Sequence, residues 1–301
     1  MAELDNKNVA AHLMIYVWNK KVNWPKSRSA EDNRYFDYVV KRYQAYPNLI
    51  WDISKEATGY GHNDMDYITD RIDRLRRLDA FRRLMTVHDY GYCAKFPGKV
   101  DFVSIQTWTT DLWSAMNVVR EKHPMKPIFN IEHGGYEEGP FLVFTGDYLS
   151  AETCLERAYQ CVFAGASLTH YWQDTSWTVV IHDIAALPAA QRPKLEYYKH
   201  LAAFVAQPWF GTLELSGKMH SSSGLCLTDG KTRFAYYVPK ENSAIQLRLK
   251  DKIGQRVLAS WFNPLTGETR QLKPMVAEQF LTVLPQPDWK HFALLNVEVL
   301  P

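Results

Sequence analysis

The chain has 301 residues, of which 46% are apolar and 23% charged, a composition typical of globular proteins with a sizeable core. Its formal net charge is +2 and it has no long basic run, so nothing in it indicates a nucleic acid or an anionic membrane as partner. No apolar run reaches the roughly 18 residues of a membrane span, and the N-terminal stretch lacks the charged-then-apolar layout of a signal peptide.

Short apolar runs alternate with amphipathic segments from residue 12 to residue 206. Six runs have the length of buried strands, at 12–18, 48–54, 83–88, 100–106, 126–132 and 166–172. Helices are predicted at 31–46, 63–83, 111–122, 151–164 and 193–206. Strands that alternate with helices pair in parallel through right-handed crossovers. We therefore predict an α/β fold, with a TIM-type (β/α) barrel domain over residues 1–207.

The predicted barrel has fewer strand–helix units than a closed barrel needs. A TIM-type barrel has eight, whereas the pattern contains six, which we take as strands 3 to 8. The eleven residues before the first run are too few for two more units, so we expect a barrel that is incomplete at its N-terminus. A missing N-terminal segment, or another copy of the chain in a homo-oligomer, would then complete it.

The pattern changes after residue 207. Short strands are predicted at 212–216, 224–228, 233–238, 244–249, 256–262, 278–283 and 291–299. Turn signals such as SSSG, TDGK and QPDW separate them. We predict a small antiparallel β-sandwich domain over residues 208–301.

Two glutamates are the main candidates for chemistry. Glu56 follows the second predicted strand and Glu132 ends the fifth, and the active site of a parallel barrel lies at these strand ends. Two carboxylates that face one cavity suit glycoside hydrolysis, in which one protonates the leaving oxygen and the other attacks or activates water. Structural alternatives stay open: Glu56 could be a solvated loop acid, and Glu132 could serve a turn that the following two glycines allow.

Other polar and aromatic side chains at the strand ends are candidates for sugar binding. Imidazole and amide groups can bind hydroxyls and indole faces can stack on sugar rings, although a histidine or tryptophan there could also be structural. The predicted substrate-binding residues are Trp18, Asn19, Lys55, His88, Gln106, Trp108, His133, Trp172, Gln173 and Asp174. The four cysteines form no CxxC pair, so we predict no zinc site and no cofactor, while a loop-bound calcium stays open.

Three motifs resemble a known family. The run YVVKRYQAYPNLIWDISKEATG at 38–59 is similar to the fourth-strand region of clan A glycosidases, and most of all to the apiosidase-like family. PIFNIEHGGYE at 127–137 resembles the seventh strand of that clan. WFNPLTGE at 261–268 resembles a motif of the small β domain, named for collagen binding, that commonly follows such barrels. The similarity extends from about residue 12 to the end of the chain.

The resemblance implies a retaining glycoside hydrolase that acts on a polysaccharide or oligosaccharide. Glu56 maps to the general acid/base, Glu132 to the nucleophile and Trp172 to the eighth-strand sugar platform. A secreted or periplasmic location is consistent with the family. One position departs from the pattern, because the clan usually has an asparagine before the acid/base and this chain has Lys55. A lysine there could bind an acidic sugar or pair with a nearby carboxylate.

Two further hypotheses stay open at this stage. Lys55 and the missing strands are compatible with a non-catalytic carbohydrate-binding or scaffold protein that descends from a glycosidase. The family name of the β domain suggests a collagen-binding or adhesion role for 208–301, and the alternative is a structural domain that packs on the barrel.

Overall fold

The computed structural model describes residues 1–18, 20, 22–60, 64–132, 150–169, 183–186, 188–189, 194–216, 220–277 and 281–300. The chain divides into two compact units. The first unit is Met1–Thr107 with Asn117–Glu132, and the second is Trp108–Met116 with His133–Pro301. A domain boundary at residue 207 stays a prediction, as do the missing N-terminal segment and the homo-oligomer.

Strands and helices alternate in the first unit, as the sequence predicted. Its strands are β1 (Ala11–Tyr16), β2 (Leu49–Lys55), β3 (Met85–His88), β4 (Val103–Gln106) and β5 (Ile128–Glu132). Its helices are α1 (Ala2–Asn6), α2 (Ala30–Tyr43), α3 (Met65–Leu78), α4 (Tyr90–Lys95) and α5 (Leu112–Lys122), of which α5 begins in the second unit. The short helix α4 was not predicted, because six residues around a glycine carry no helical periodicity.

The strands of the first unit pair in parallel and in chain order. β2 lies between β1 and β3, and β4 pairs with β5. Thr86 Oγ1 on β3 donates to the carbonyl oxygen of Phe102 at 3.0 Å and lies 2.9 Å from Ser104 Oγ on β4. These contacts place β3 beside β4. The carboxyl ends of all five strands therefore meet at one edge, which is where a barrel enzyme has its site.

The helices of the first unit pack an apolar stripe on these strands. Phe36 and Val40 of α2, and Ile68, Ile72 and Leu75 of α3, are at most 1% exposed, at the spacing of one helix face. Side-chain caps fix where the helices begin, since side-chain oxygens accept from backbone N–H groups of the first turn. The capping residues are Ser29 of α2, Asp64 of α3 and Asp89 of α4.

In the described part of the second unit, a strand and two helices precede the predicted antiparallel strands. The barrel-type elements are α6 (Ala151–Phe163), β6 (Ser167–Leu168) and α7 (Leu195–Val205). The antiparallel strands are β7 (Glu214–Leu215), β8 (Leu225–Thr228), β9 (Arg233–Val238), β10 (Ala244–Arg248), β11 (Arg256–Phe262), β12 (Thr269–Gln271), β13 (Met275–Val276), β14 (Leu281–Pro285) and β15 (Ala293–Val299). One sheet has the order β12-β11-β15-β9-β8-β7, with β13 also on β11, and β10 pairs with β14 in a second sheet. The predicted fold class is confirmed.

The large sheet of the second unit is buried on both faces. On β9, Tyr236 packs in a core with Ile245 of the small sheet, which makes the sandwich. The next residue, Tyr237, points the other way and packs in a second core with Tyr159 of α6 and Phe204 of α7. The helices therefore cover the face of the sheet that the small sheet leaves open.

The WFNPLTGE motif builds a hairpin loop between β11 and β12. The side chain of Asn263 accepts from the backbone N–H groups of Leu265 and Thr266. Gly267 has a positive φ of 75°, and a β-carbon there would lie 2.5 Å from His200 Nδ1 on α7. These residues serve the turn and its packing, which favours the structural interpretation of this domain. Among the described residues, no helix is both long and apolar enough to cross a membrane.

Candidate active site

Glu56 lies directly after β2, on a backbone of unusual conformation. Its φ is +43°, in the left-handed region that non-glycine residues seldom adopt. The pairing of β2 with β3 shifts register between Asp52 and Lys55, and the N–H of Glu56 donates to the carbonyl oxygen of His88 at 2.7 Å. Register irregularities and left-handed residues turn a side chain away from the regular strand direction, and both are frequent at functional sites.

Glu132 is the last residue of β5. The β4–β5 pairing also shifts register next to it, between Ile105 and Gln106. The carbonyl oxygen of Glu132 accepts from the N–H of Thr107 at 3.2 Å. Its side chain is only 10% exposed, whereas that of Glu56 is 27% exposed. A carboxylate so well buried needs a partner.

The two glutamates converge with His88. One side-chain ligand atom from each of Glu56, His88 and Glu132 lies within 4.8 Å of the other two. Lys55 joins this group, because its Nζ lies 2.5 Å from Glu132 Oε1 and 3.6 Å from Glu56 Oε1. Glu132 Oε2 is buried and has no hydrogen-bond partner among the described residues. Within the part of the chain that the structure describes, one oxygen of this carboxylate is therefore engaged and the other is not.

Lys55 carries its positive charge at neutral pH. Burial, the largest influence, lowers the pKa of its ammonium group, but the charge and hydrogen bond of Glu132 together with the charge of Glu56 outweigh it. The pKa of Lys55 is consequently above its ordinary value. The sequence left two roles open for this lysine, and in the structure it pairs with a carboxylate, that of Glu132.

The same lysine argues against a divalent cation among these residues. Two carboxylates and an imidazole offer suitable ligand atoms at suitable spacing. However, an ammonium group already contacts Glu132 and lies near Glu56, and a second positive charge there would be repelled. The cluster fits an ion pair better than a metal site.

Buried polar contacts fix His88 and the turn after β2. His88 is 1% exposed, and its Nε2 lies 2.8 Å from Gln106 Oε1. Its backbone N–H donates to Asp52 Oδ1 at 2.9 Å, and Asp52 Oδ2 lies 3.0 Å from His12 Nε2. Asp89 Oδ2 accepts from the backbone N–H of Thr58 at 2.7 Å. These contacts tie the ends of β2 and β3 together.

Asp52, His12 and Asp89 support the site, and none of them was among the site residues predicted from the sequence. A signal was available for Asp52, since it interrupts the apolar run LIWDIS and a charged residue in a buried strand needs partners. His12 and Asp89 carry no such signal. The partner of His12 is 40 residues away in sequence, and Asp89 accepts from the backbone N–H of Thr58, a contact that residue types do not reveal.

The other predicted site residues have different surroundings. Trp18 stacks on Tyr16, with ring centroids 5.1 Å apart. Trp108 belongs to the second unit, where its carbonyl oxygen accepts from Arg157 at 2.9 Å. The predicted residues that lie outside the described part of the chain are Asn19, His133, Trp172, Gln173 and Asp174. The structure thus brings together Glu56, Glu132, Lys55, His88 and Gln106.

A family model matches most of the chain. Residues 1–222 match the model described as apiosidase-like, catalytic domain. A comparison with curated proteins gave no match. The family match includes the segments that carry the two glutamates.

Three solved structures are similar to nearly the whole chain. One, described as a glycoside hydrolase, has a TM-score of 0.67 and 17% identity, and the match covers 97% of this chain and 74% of that one. A family 5 glycoside hydrolase from Bacteroides vulgatus has a TM-score of 0.69 and 16% identity, over 97% of this chain and 72% of that one. A second Bacteroides vulgatus protein, solved as a candidate glycoside hydrolase, has a TM-score of 0.75 and 17% identity, over 99% and 61%. The chain thus spans from 61% to 74% of these structures, and at such identities the similarity shows the fold.

Proposed function

Because the chain belongs to the apiosidase-like family of glycoside hydrolases, we propose that it cleaves O-glycosidic bonds of a polysaccharide or oligosaccharide with retention of configuration. The observation that carries this proposal is the separation of Glu56 and Glu132, whose nearest carboxylate oxygens lie within 4.8 Å of each other. Retaining enzymes hold their two carboxyl groups roughly 5–5.5 Å apart, whereas inverting enzymes need about 6.5–9.5 Å to admit a water molecule.

The two glutamates have different roles in this mechanism. Glu132 attacks the anomeric carbon while Glu56 donates a proton to the leaving oxygen, which gives a glycosyl–enzyme ester. Glu56 then takes a proton from water, the water oxygen binds the anomeric carbon, and the bond to Glu132 breaks. The assignment is supported by exposure, since Glu56 is the more accessible of the two and must exchange protons with leaving groups and water.

Sugar binding is assigned to the surrounding polar and aromatic groups. His88 and Gln106 contact each other beside the glutamates, and both can bind sugar hydroxyls. Trp18 and Trp108 stay predicted sugar-binding residues, and so do Asn19, His133, Trp172, Gln173 and Asp174. A secreted or periplasmic location also stays a prediction from the family.

The proposal is tested by hydrolysis of a panel of aryl glycosides and plant and microbial polysaccharides. The wild type should cleave at least one of them, and NMR of the first product should show the anomer of the substrate. Glu132→Gln should lose at least about 10⁴-fold in kcat. The matched control is Glu121→Gln, because Glu121 of α5 is exposed. This substitution should leave kcat unchanged. Wild-type-like turnover by Glu132→Gln would reject the assignment.

A second variant separates the two roles. Glu56→Gln should lose far less activity on a dinitrophenyl glycoside than on an alkyl glycoside, because the dinitrophenolate leaves without a proton. Glu132→Gln should lose equally on both. Equal losses for both variants on both substrates would contradict the separate roles.

A carbohydrate-binding protein without hydrolysis is the second candidate, and the Lys55–Glu132 ion pair favours it. An ion pair at 2.5 Å can also be a structural contact that joins the ends of β2 and β5, with no part in turnover. This candidate predicts that the wild type binds glycans on an array and cleaves none of the panel. Hydrolysis by the wild type, abolished by Glu132→Gln, would exclude it.

A further inference from the structure

Lys55 is placed so that one ammonium group reaches both catalytic carboxylates. Its Nζ binds Glu132 Oε1 at 2.5 Å and lies 3.6 Å from Glu56 Oε1. We propose that Lys55 is a positioning residue that neutralises the negative charge as this charge passes from Glu132 to Glu56 and back within one catalytic cycle. The inference rests on the proposed function and adds a residue to its machinery.

The negative charge changes place in the first half-reaction. The retaining mechanism begins with Glu132 as the carboxylate and with Glu56 carrying the proton that goes to the leaving oxygen. A bond forms between Glu132 and the anomeric carbon, the bond from that carbon to the leaving oxygen breaks, and the proton of Glu56 moves to the leaving oxygen. Glu132 is then a neutral ester and Glu56 is a carboxylate. Net charge is unchanged, but it has moved from one glutamate to the other.

The second half-reaction reverses this transfer. Glu56 accepts a proton from water, the hydroxyl oxygen bonds to the anomeric carbon, and the bond from that carbon to Glu132 breaks. Glu132 is again ionised and Glu56 again protonated, while Lys55 is chemically unchanged. A group that compensates both states must therefore be able to reach both carboxylates.

The geometry of Lys55 meets that requirement. A move of about 1 Å would bring its Nζ from 3.6 Å to hydrogen-bonding distance of Glu56, and a lysine stem is flexible enough for it. The side chain is only 16% exposed, so an uncompensated charge beside it would be costly. Among the described residues, Tyr60 has a charge interaction that also favours the ammonium, and His88 lies near both glutamates.

The asymmetry of Glu132 supports the same role. Lys55 binds Oε1, while Oε2 has no hydrogen-bond partner among the described residues. The ammonium therefore neutralises the charge of Glu132 through one oxygen, and the other oxygen stays outside the ion pair.

The test uses the full chain and the best substrate from the panel. Lys55→Met should lower kcat by about 10²–10³-fold, the usual cost of removing one preorganised electrostatic group, in both half-reactions. The acidic limb of the kcat/KM profile should move to higher pH, because the ammonium favours ionised carboxylates. Lys55→Arg, which keeps the charge, should restore the pH profile and most of kcat. Lys99→Met is the matched control, since Lys99 pairs with Asp73 at 2.9 Å on the surface, and it should leave both unchanged.

The outcomes separate this inference from the proposed function. Hydrolysis by the wild type, with an unchanged pH profile and kcat within threefold in Lys55→Met, overturns the inference alone. A higher KM restricted to acidic sugars, with kcat unchanged, would also overturn it and make Lys55 a substrate-binding residue. If the wild type cleaves nothing, the proposed function fails and the inference falls with it. If Lys55→Met does not fold, Lys55→Gln carries the same expectations, because it also removes the charge.

Discussion

The strand ends of the first unit and the large sheet of the second unit bury different kinds of side chains. At the ends of β2, β3 and β5 the chain buries polar groups and pairs them with one another, as in Lys55 with Glu132 and His88 with Gln106. In the sheet, residues 234–238 of β9 and 293–295 of β15 are apolar and buried in succession, so they pack on both faces. The sheet therefore contributes most to the stability of the fold. The strand ends instead bury polar groups that hydrophobic packing does not require.

The largest expected loss of stability comes from the sandwich core. Trp261 on β11 is 1% exposed, and Trp261→Ala should lower the free energy of unfolding by about 3–5 kcal/mol. Denaturant unfolding followed by circular dichroism measures this. The folded fraction should keep its kcat, because the glutamates lie in the first unit. A loss below about 1 kcal/mol would contradict the contrast between the regions.

A smaller loss is expected from the polar contacts beneath the site. Asp52→Ala removes the acceptor for two backbone N–H groups, those of Ser54 and His88, and the contact with His12. Buried groups left without partners cost about 1–3 kcal/mol each and are not additive, so we expect a loss of about 3 kcal/mol. Here kcat/KM should fall as well, because His88 loses its anchor.

The control for that prediction is an aspartate in an ion pair nearer the surface. Asp37 pairs with Arg74 at 2.5 Å and its side chain is 24% exposed. Asp37→Ala should cost about 1 kcal/mol or less and leave kcat/KM unchanged. Equal effects of both exchanges would mean that Asp52 has no special role.

Two glycines with similar backbone angles give a third, smaller contrast. Gly267 and Gly230 have φ values of 75° and 71°. A β-carbon at Gly267 would lie 2.5 Å from His200 Nδ1, while nothing lies within 4 Å at Gly230. Gly230→Ala should cost about 1 kcal/mol from the backbone alone, and Gly267→Ala about 2 kcal/mol. Thermal unfolding of the two variants checks the order, and the reverse order would contradict the packing of α7 on this loop.

The smallest effect is a change of stability with pH. The pKa of Lys55 is above its ordinary value of 10.5 in the folded chain. The stability that its ion pair contributes is therefore fully present below pH 10.5 and is lost as pH rises through the higher folded value. The difference in unfolding free energy between wild type and Lys55→Gln should be constant from pH 7 to 9 and shrink above pH 10.5. A difference that grows in that range would contradict the sign.

The sequence predicted the scaffold and the two glutamates for the same physical reason. Strand ends of parallel sheets meet at one edge, so Glu56 and Glu132 could be placed from the positions of their strands alone. The partner of Lys55 could not be predicted, because it is 77 residues away and depends on side-chain rotamers and two register shifts. Asp52 shows the same limit, since an apolar run identifies the strand but does not identify the contacts of one polar residue within it.

The antiparallel part shows the converse. Short strand-like runs separated by turn signals were enough to predict strands and a sandwich. The second apolar face is formed by residues such as Tyr237 and Leu294. The sequence indicates this face as well, because polar residues do not alternate with apolar ones at these positions. What the pattern does not contain is the partner of that face, which the structure identifies as α6 and α7.

This two-sided burial has a practical consequence for truncated forms of the chain. A fragment that begins at residue 208 would lack α6 and α7 and would expose Tyr237, Phe292 and Leu294 to water. Such a contiguous hydrophobic surface promotes self-association, so this fragment should precipitate or form oligomers during purification. A fragment that starts upstream of Ser150 retains both helices and is the better choice for expressing the β-sheet unit on its own.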